Sequence, residues 1–137
     1  CKSRLYIVAS PEYLQMNGYP KTPQDILNHA QIGFSKVNHL NTWPIFVNGE
    51  KLTVKPKIKA SNGETVRKMA LNGLGITCLS AFLVLQDIKQ KRLIALFEDQ
   101  IEIYEQRIHA VYYQQEHLPK RVRLFIEFLA QKLSNYR

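Results

Sequence analysis

The stretch ASNGETVRKMALNGLGITCLS, residues 60–80, holds in one run a strand end, a polar elbow, a short helix, a glycine turn and a second strand. Val66, Met69 and Ala70 recur at helical spacing, Asn72-Gly73 supplies the stop, and Gly75 to Leu79 reads as a buried strand. The strand hands over to the helix through Ser61-Asn62-Gly63. Such a junction is where α/β proteins hold small anions and polar ligands, because the free N–H groups of a helix start favour them. The same residue types also act as a helix N-cap with no ligand present. One elbow can do both.

Upstream, Arg4 to Ser10 is strand-like, and Ser10-Pro11-Glu12 starts a helix that Gly18 ends. Thr22-Pro23-Gln24-Asp25 repeats the start signal, and Ile32 to Ser35 is a short strand. Asn48-Gly49 between Trp43–Val47 and Leu52–Val54 is the strongest short hairpin signal. Pro56 to Ala60 alternates Ile58 and Ala60 with lysines, as in a half-buried strand. Downstream, Ser80 caps a helix over Ala81 to Gln90, and Leu93–Phe97 and Arg107–Tyr113 are two more strands. From about Pro119 to Leu133, Val122, Phe125, Ile126, Leu129 and Leu133 form the stripe of an amphipathic helix. Strands alternating with helices predict an α/β fold with a mostly parallel sheet flanked by helices. Ligands gather at the carboxyl ends of strands in such sheets. The elbow, Phe34-Ser35 and Leu79-Ser80 all meet that rule.

The 137 residues suffice for one domain with a real core, and 45% apolar with 22% charged residues is ordinary for a soluble protein. No apolar run approaches the roughly 18 residues of a membrane span. Two cysteines make no disulfide framework, and Cys78 reads as a small core residue in a reducing, cytoplasmic setting. The chain does not begin with Met, so it is expected to be a piece of something longer. Its net charge of +8 is spread over small groups, Lys51 to Lys59, Lys89 to Arg92 and Lys120 to Arg123, and reads as a solvated basic surface.

Chemistry is sparse. His29, His39, His109 and His117 have no metal-ligand spacing, and there is no Gly-x-Ser-x-Gly elbow or phosphate-binding glycine loop. Asn72-Gly73-Leu74-Gly75 runs from helix to strand, the reverse of a dinucleotide-binding turn. Glu64 serves the helix dipole sooner than a proton transfer. The reading is no enzyme, no metal and no cofactor.

The order of motifs carries a resemblance. RLYIVASPEYL (4–14), Gly18-Tyr19-Pro20, Thr22-Pro23-Gln24-Asp25-Ile26, Trp43, Asn48-Gly49, the 60–80 stretch and the closing HAVYYQQEHLPKRVRLFIEFL together resemble the effector-binding domain of LysR-type transcriptional regulators. The likeness covers essentially the whole chain. It implies a two-lobed fold like that of periplasmic binding proteins, with a small-molecule effector held between lobes. It also implies a homo-oligomer and promoter DNA bound only through a helix-turn-helix outside this chain. By position, about 10–106 is the second lobe and 107–137 returns to a first lobe that is absent, so the closing stripe needs other cover. The implied effector-facing residues are Gly33, Phe34 and Ser35, the elbow Ser61, Asn62 and Gly63, and Thr77, Cys78 and Leu79. Family members commonly have a proline where this chain has Ser80. A small organic acid suits the helix start as effector. The rival readings are a lobe of a solute-binding protein for transport and an enzyme using Cys78, the only thiol at a candidate site.

Overall fold

Most of the start and stop signals work as caps, but Ser80 stands at the N-cap of the helix over 81–89 without a side-chain cap hydrogen bond. A computed structural model describes residues 2–102, 106, 107, 109, 111 and 119–133. Its strands are β1 (Lys2–Ser3), β2 (Leu5–Ala9), β3 (Ile32–Phe34), β4 (Thr42–Val47), β5 (Glu50–Thr53), β6 (Ile58–Ala60), β7 (Thr77–Ser80), β8 (Ile94–Leu96) and β9 (Gln106–Arg107). The α-helices are α1 (Pro11–Asn17), α2 (Gly63–Leu71), α3 (Ala81–Lys89) and α4 (Lys120–Leu133). Ser10 Oγ accepts from the Tyr13 N–H at 3.1 Å and opens α1. After Thr22 the chain forms a 3₁₀ helix, Pro23–Asn28, held by Asp25, whose Oδ2 accepts from the Thr22 N–H at 2.8 Å. At the end of α2, the Gly73 N–H reaches the Ala70 carbonyl and the Leu74 N–H reaches Met69, a Schellman closure.

The sheet is not mostly parallel. β2 lies between β7 and β8 and runs antiparallel to both. β3 pairs with β6 in parallel, and one parallel bridge, Gln31 to Ile76, ties β3 to the start of β7. Neighbours therefore run β8, β2, β7, β3, β6, with β2 the reversed member. Apolar alternation makes a strand but carries no direction, so the expectation failed at this strand. Separately, Lys2 and Ser3 of β1 pair antiparallel with Arg107 and Gln106 of β9. Of the strand expected over 107–113, residues 108, 110, 112 and 113 lie outside the described ones.

Alternation along β2 and β7 builds a core on each face of this sheet. Ile7, Ala9 and Cys78 join Trp43, Ile45, Leu52, Tyr13 and Ile26 on the hairpin side. Val8 and Leu79 join Val66, Ala70 and Val84 of α2 and α3 on the helix side. The hairpin β4–β5 turns at Asn48 and Gly49, with φ of 52° and 82°, both in the left-handed region a two-residue turn needs. Its register shifts between Trp43 and Phe46, a bulge that accommodates Pro44, which has no N–H for the ladder.

A side-chain clamp from α3 holds α2 in place. Asp87 of α3 is fully buried, and Arg67 of α2 grips it in fork fashion, Nε to Oδ2 at 2.6 Å and Nη2 to Oδ1 at 2.9 Å. Arg92 adds a contact to Oδ1 at 2.5 Å. These partners satisfy a carboxylate that burial would otherwise heavily penalise. By contrast, no residue of α4 is buried.

Candidate functional site: a cleft where two strands part

The cleft arises where β3 and β7 diverge. Ile32 N–H still donates to the Ile76 carbonyl at 2.9 Å, but beyond that point no ladder joins the strands. Side chains take over. Thr77 Oγ1 donates to the Ile32 carbonyl at 2.9 Å. Asn41 serves Phe34 twice: its Oδ1 accepts from the Phe34 N–H at 2.8 Å, and its Nδ2 donates to the Phe34 carbonyl at 2.9 Å. The strands thus part without leaving these buried backbone groups unpaired.

The resulting cavity has a volume of about 470 Å³. It lies at the carboxyl ends of β3, β6 and β7, where ligands of α/β sheets collect. Leu5, Phe34, Leu40, Pro44, Leu79, Phe82 and Leu83 give it apolar walls, and Thr42, Ser80, His39 and Lys51 are its polar lining. Lys51 is paired with Glu102 at 2.6 Å, which offsets its charge locally. Burial pushes the Cys78 thiol up to about 12, so at neutral pH it is a protonated, apolar-like wall atom and a poor nucleophile.

Of the nine positions expected to face an effector, Phe34, Gly63, Cys78 and Leu79 line this cleft, and Gly33, Ser35, Ser61, Asn62 and Thr77 stand outside its lining. Gly33 is close-packed: a Cβ there would collide with the Asn41 amide and the Pro56 ring. Thr77 is spent on the Ile32 carbonyl. Ser35 and Ser61 are exposed. Asn62 is the N-cap of α2, its Oδ1 accepting from the Thr65 N–H at 2.9 Å. Glu64 pairs with Arg67 at 3.0 Å, in keeping with a structural role.

The hairpin side of the cleft (Thr42, Pro44 and Lys51), the 3₁₀ segment with His39 and Leu40, and Leu5 of β2 were not read as lining residues. Nothing local marks a hairpin that folds over a strand end some 30 residues away in sequence. Phe82 and Leu83 had a signal, since the Ser80 helix start puts the first turn of α3 beside the end of β7.

An α/β sheet with one reversed strand and a ligand-sized cleft at its strand ends is the architecture of a LysR-type regulatory domain, a periplasmic-binding-protein-like fold. The CrgA regulatory domain of Neisseria meningitidis superposes with a TM-score of 0.92 at 37% identity, covering 97% of this chain and 66% of that one. The AphB regulatory domain of Vibrio vulnificus gives a TM-score of 0.71 at 25% identity, covering 96% of this chain and 65% of that one. Residues 1–134 match the family described as LysR substrate binding domain, and the chain belongs to that family. In sequence it is 38% identical over 134 residues to the HTH-type transcriptional regulator CrgA of N. meningitidis serogroup C, covering 97% of this chain and 45% of that protein. It is 31% identical to the HTH-type transcriptional regulator PtxR of Pseudomonas aeruginosa, covering 97% of this chain and 43% of that protein. The chain thus spans under half the length of these relatives. Both are regulators, and the transport reading loses its support. Among the described residues no helix is long and apolar enough to cross a membrane.

Proposed function

We propose that the chain is the ligand-sensing part of a LysR-type transcriptional regulator, with 10–106 as second lobe and 107–137 returning to a first lobe outside the chain. The cleft at the β3–β7 divergence carries this reading: it is ligand-sized, it sits at the strand ends, and the family is one of substrate-binding domains. A small molecule bound there and closed over by the opposing lobe favours one arrangement of a homo-oligomer. That shift alters promoter contacts made by a helix-turn-helix outside this chain. The role is sensing in the cytoplasm, without catalysis or a cofactor.

The walls refine the effector's class. Leu5, Phe34, Leu79 and Leu83 suit an apolar body. With Lys51 already paired to Glu102, His39 and the first turn of α2 suit a single anionic end, so an apolar monocarboxylate fits better than a small polyacid. Thermal shift of the full-length regulator with octanoate, phenylacetate, succinate and octanamide tests this. The first two are expected to raise Tm and the last two to do little. Gly63→Leu, which drives a side chain against Leu83 and fills the cleft, should abolish the shift while leaving the unliganded Tm near wild type. A shift that survives the filled cleft overturns the site assignment.

A further inference from the structure

From Lys51 to Ala60 the chain alternates without a break between outward and inward residues. Leu52, Val54 and Pro56 are buried, Ile58 and Ala60 are half-buried, and Lys51, Thr53, Lys55, Lys57 and Lys59 are exposed. The inward side chains are held by the core: Leu52 and Val54 join the hairpin-side cluster, and Pro56 abuts Gly33. With the inward set fixed, Lys55 and Lys57 are brought to the outer side of the segment that joins β5 to β6, and Lys59 to the outer side of β6.

Their charge is uncompensated. Lys51 has Glu102, and Arg67 and Arg92 share Asp87. Among the described residues, Lys55, Lys57 and Lys59 have no ion-pair partner. A protective charge on the edge strand β6, which pairs only with β3 among the described residues, accounts for Lys59. It does not account for Lys55 and Lys57, which precede the strand. Beside them lies a concavity of about 770 Å³ whose lining includes Lys55, Lys57, Asn28 and His29. The Tyr13 hydroxyl accepts from the Ala30 N–H at 3.0 Å and meets His29 Nδ1 at 3.0 Å.

We propose that the Lys55-Lys57-Lys59 row is a sequence-independent docking strip for the phosphate backbone of duplex DNA. A row of three uncompensated cations exceeds what one phosphate can pair with. No aromatic side chain is interleaved with the lysines to stack bases, which argues for duplex rather than single strand. The sensing half of the regulator would then hold DNA directly, apart from any helix-turn-helix. This inference does not depend on the effector cleft.

The test is fluorescence anisotropy of the whole chain on a short duplex of arbitrary sequence across a salt series. Lys55→Gln/Lys57→Gln/Lys59→Gln is compared with Lys120→Gln/Arg121→Gln/Arg123→Gln on α4, which removes the same charge, and thermal melts check that both remain folded. The wild-type chain should bind weakly with a steep salt dependence. The strip variant should reduce the slope of log K against log salt by about 2 to 3, at roughly 0.9 per phosphate contact, and the α4 variant by much less. Equal losses from both variants, no binding at low salt, or polyglutamate bound with the same lysine dependence would each overturn the proposal.

Discussion

Helices α2 and α4 look alike as sequence and behave differently as structure. Each carries an apolar stripe at helical spacing with cations on the other side. The stripe of α2 is covered, with Val66 and Ala70 fully buried against the sheet. On α4 the most hidden residues, Val122, Ile126, Leu129 and Leu133, are only half-buried, while Leu124, Phe125 and Phe128 are each more than half exposed, at 54%, 59% and 52%. A helical period therefore announces a helix but not its cover. Exposed neighbouring aromatics on one face are the mark of a surface meant for a partner. Under the proposed domain division that partner is the first lobe.

The sharpest test of this contrast is a charge placed in each stripe. Val66→Asp should cost more than about 4 kcal/mol in urea unfolding, because it buries an unpaired carboxylate. Phe125→Asp should stay within about 0.5 kcal/mol in this chain and become costly in a longer protein that includes the first lobe. If Phe125→Asp already destabilises this chain strongly, α4 is covered in solution. A light-scattering concentration series would then show whether a second copy provides the cover.

The next effect concerns what anchors α2. Arg67→Met leaves buried Asp87 with Arg92 as its remaining partner. The expected loss is about 3 kcal/mol, near the lower end for breaking a buried pair. A loss under about 1 kcal/mol would mean that α2 is held by its apolar face alone.

Asn62→Ala removes the cap of α2 and should cost about 0.5–2 kcal/mol. Effector response in the full-length regulator separates cap from ligand contact: a cap alone leaves it normal once the stability loss is allowed for, and a ligand group does not. Helix α4, whose start has no comparable role in the cleft, provides the reference. Thermal shift and induction both unchanged would reduce the elbow to a turn.

The smallest effect is a pH dependence. Hydrogen bonding from the Thr22 backbone, aided by Lys21, holds the Asp25 carboxyl below its ordinary 3.8. Its folded pKa is depressed, so its contribution is present above the unfolded value and lost as pH falls through the folded one. Asp25→Asn should therefore flatten the acid limb of the melting curve below about pH 4 and change little at neutral pH.

Part of the candidate site was legible at the strand ends. Phe34, Leu79 and the elbow that ends in Gly63 were placed at strand ends by period and turn chemistry, Cys78 was implied by the family resemblance, and all four residues line the cleft. Gly33 and Thr77 were implied by the same resemblance, as sequence neighbours of these positions. Their neighbours decide otherwise: Asn41 and Pro56 crowd Gly33, and the Thr77 hydroxyl is used by the Ile32 carbonyl. Asn41, which lets β3 and β7 part, sits in a polar stretch that reads as loop.

By itself the sequence determined where several of the helices and strands begin and end. It specified the Ser10 cap, a cap at Ser61 or Asn62, the Gly73 stop and the Asn48-Gly49 turn, all settled within a few residues by hydrogen-bond geometry and side-chain period. Only the tertiary structure decided the reversed direction of β2, the hairpin as a cleft wall, the Arg67–Asp87 clamp and the bare face of α4. Each of these joins residues far apart in the chain, or depends on a partner surface. Period and propensity report which side of an element seeks burial, and the packed assembly alone says against what.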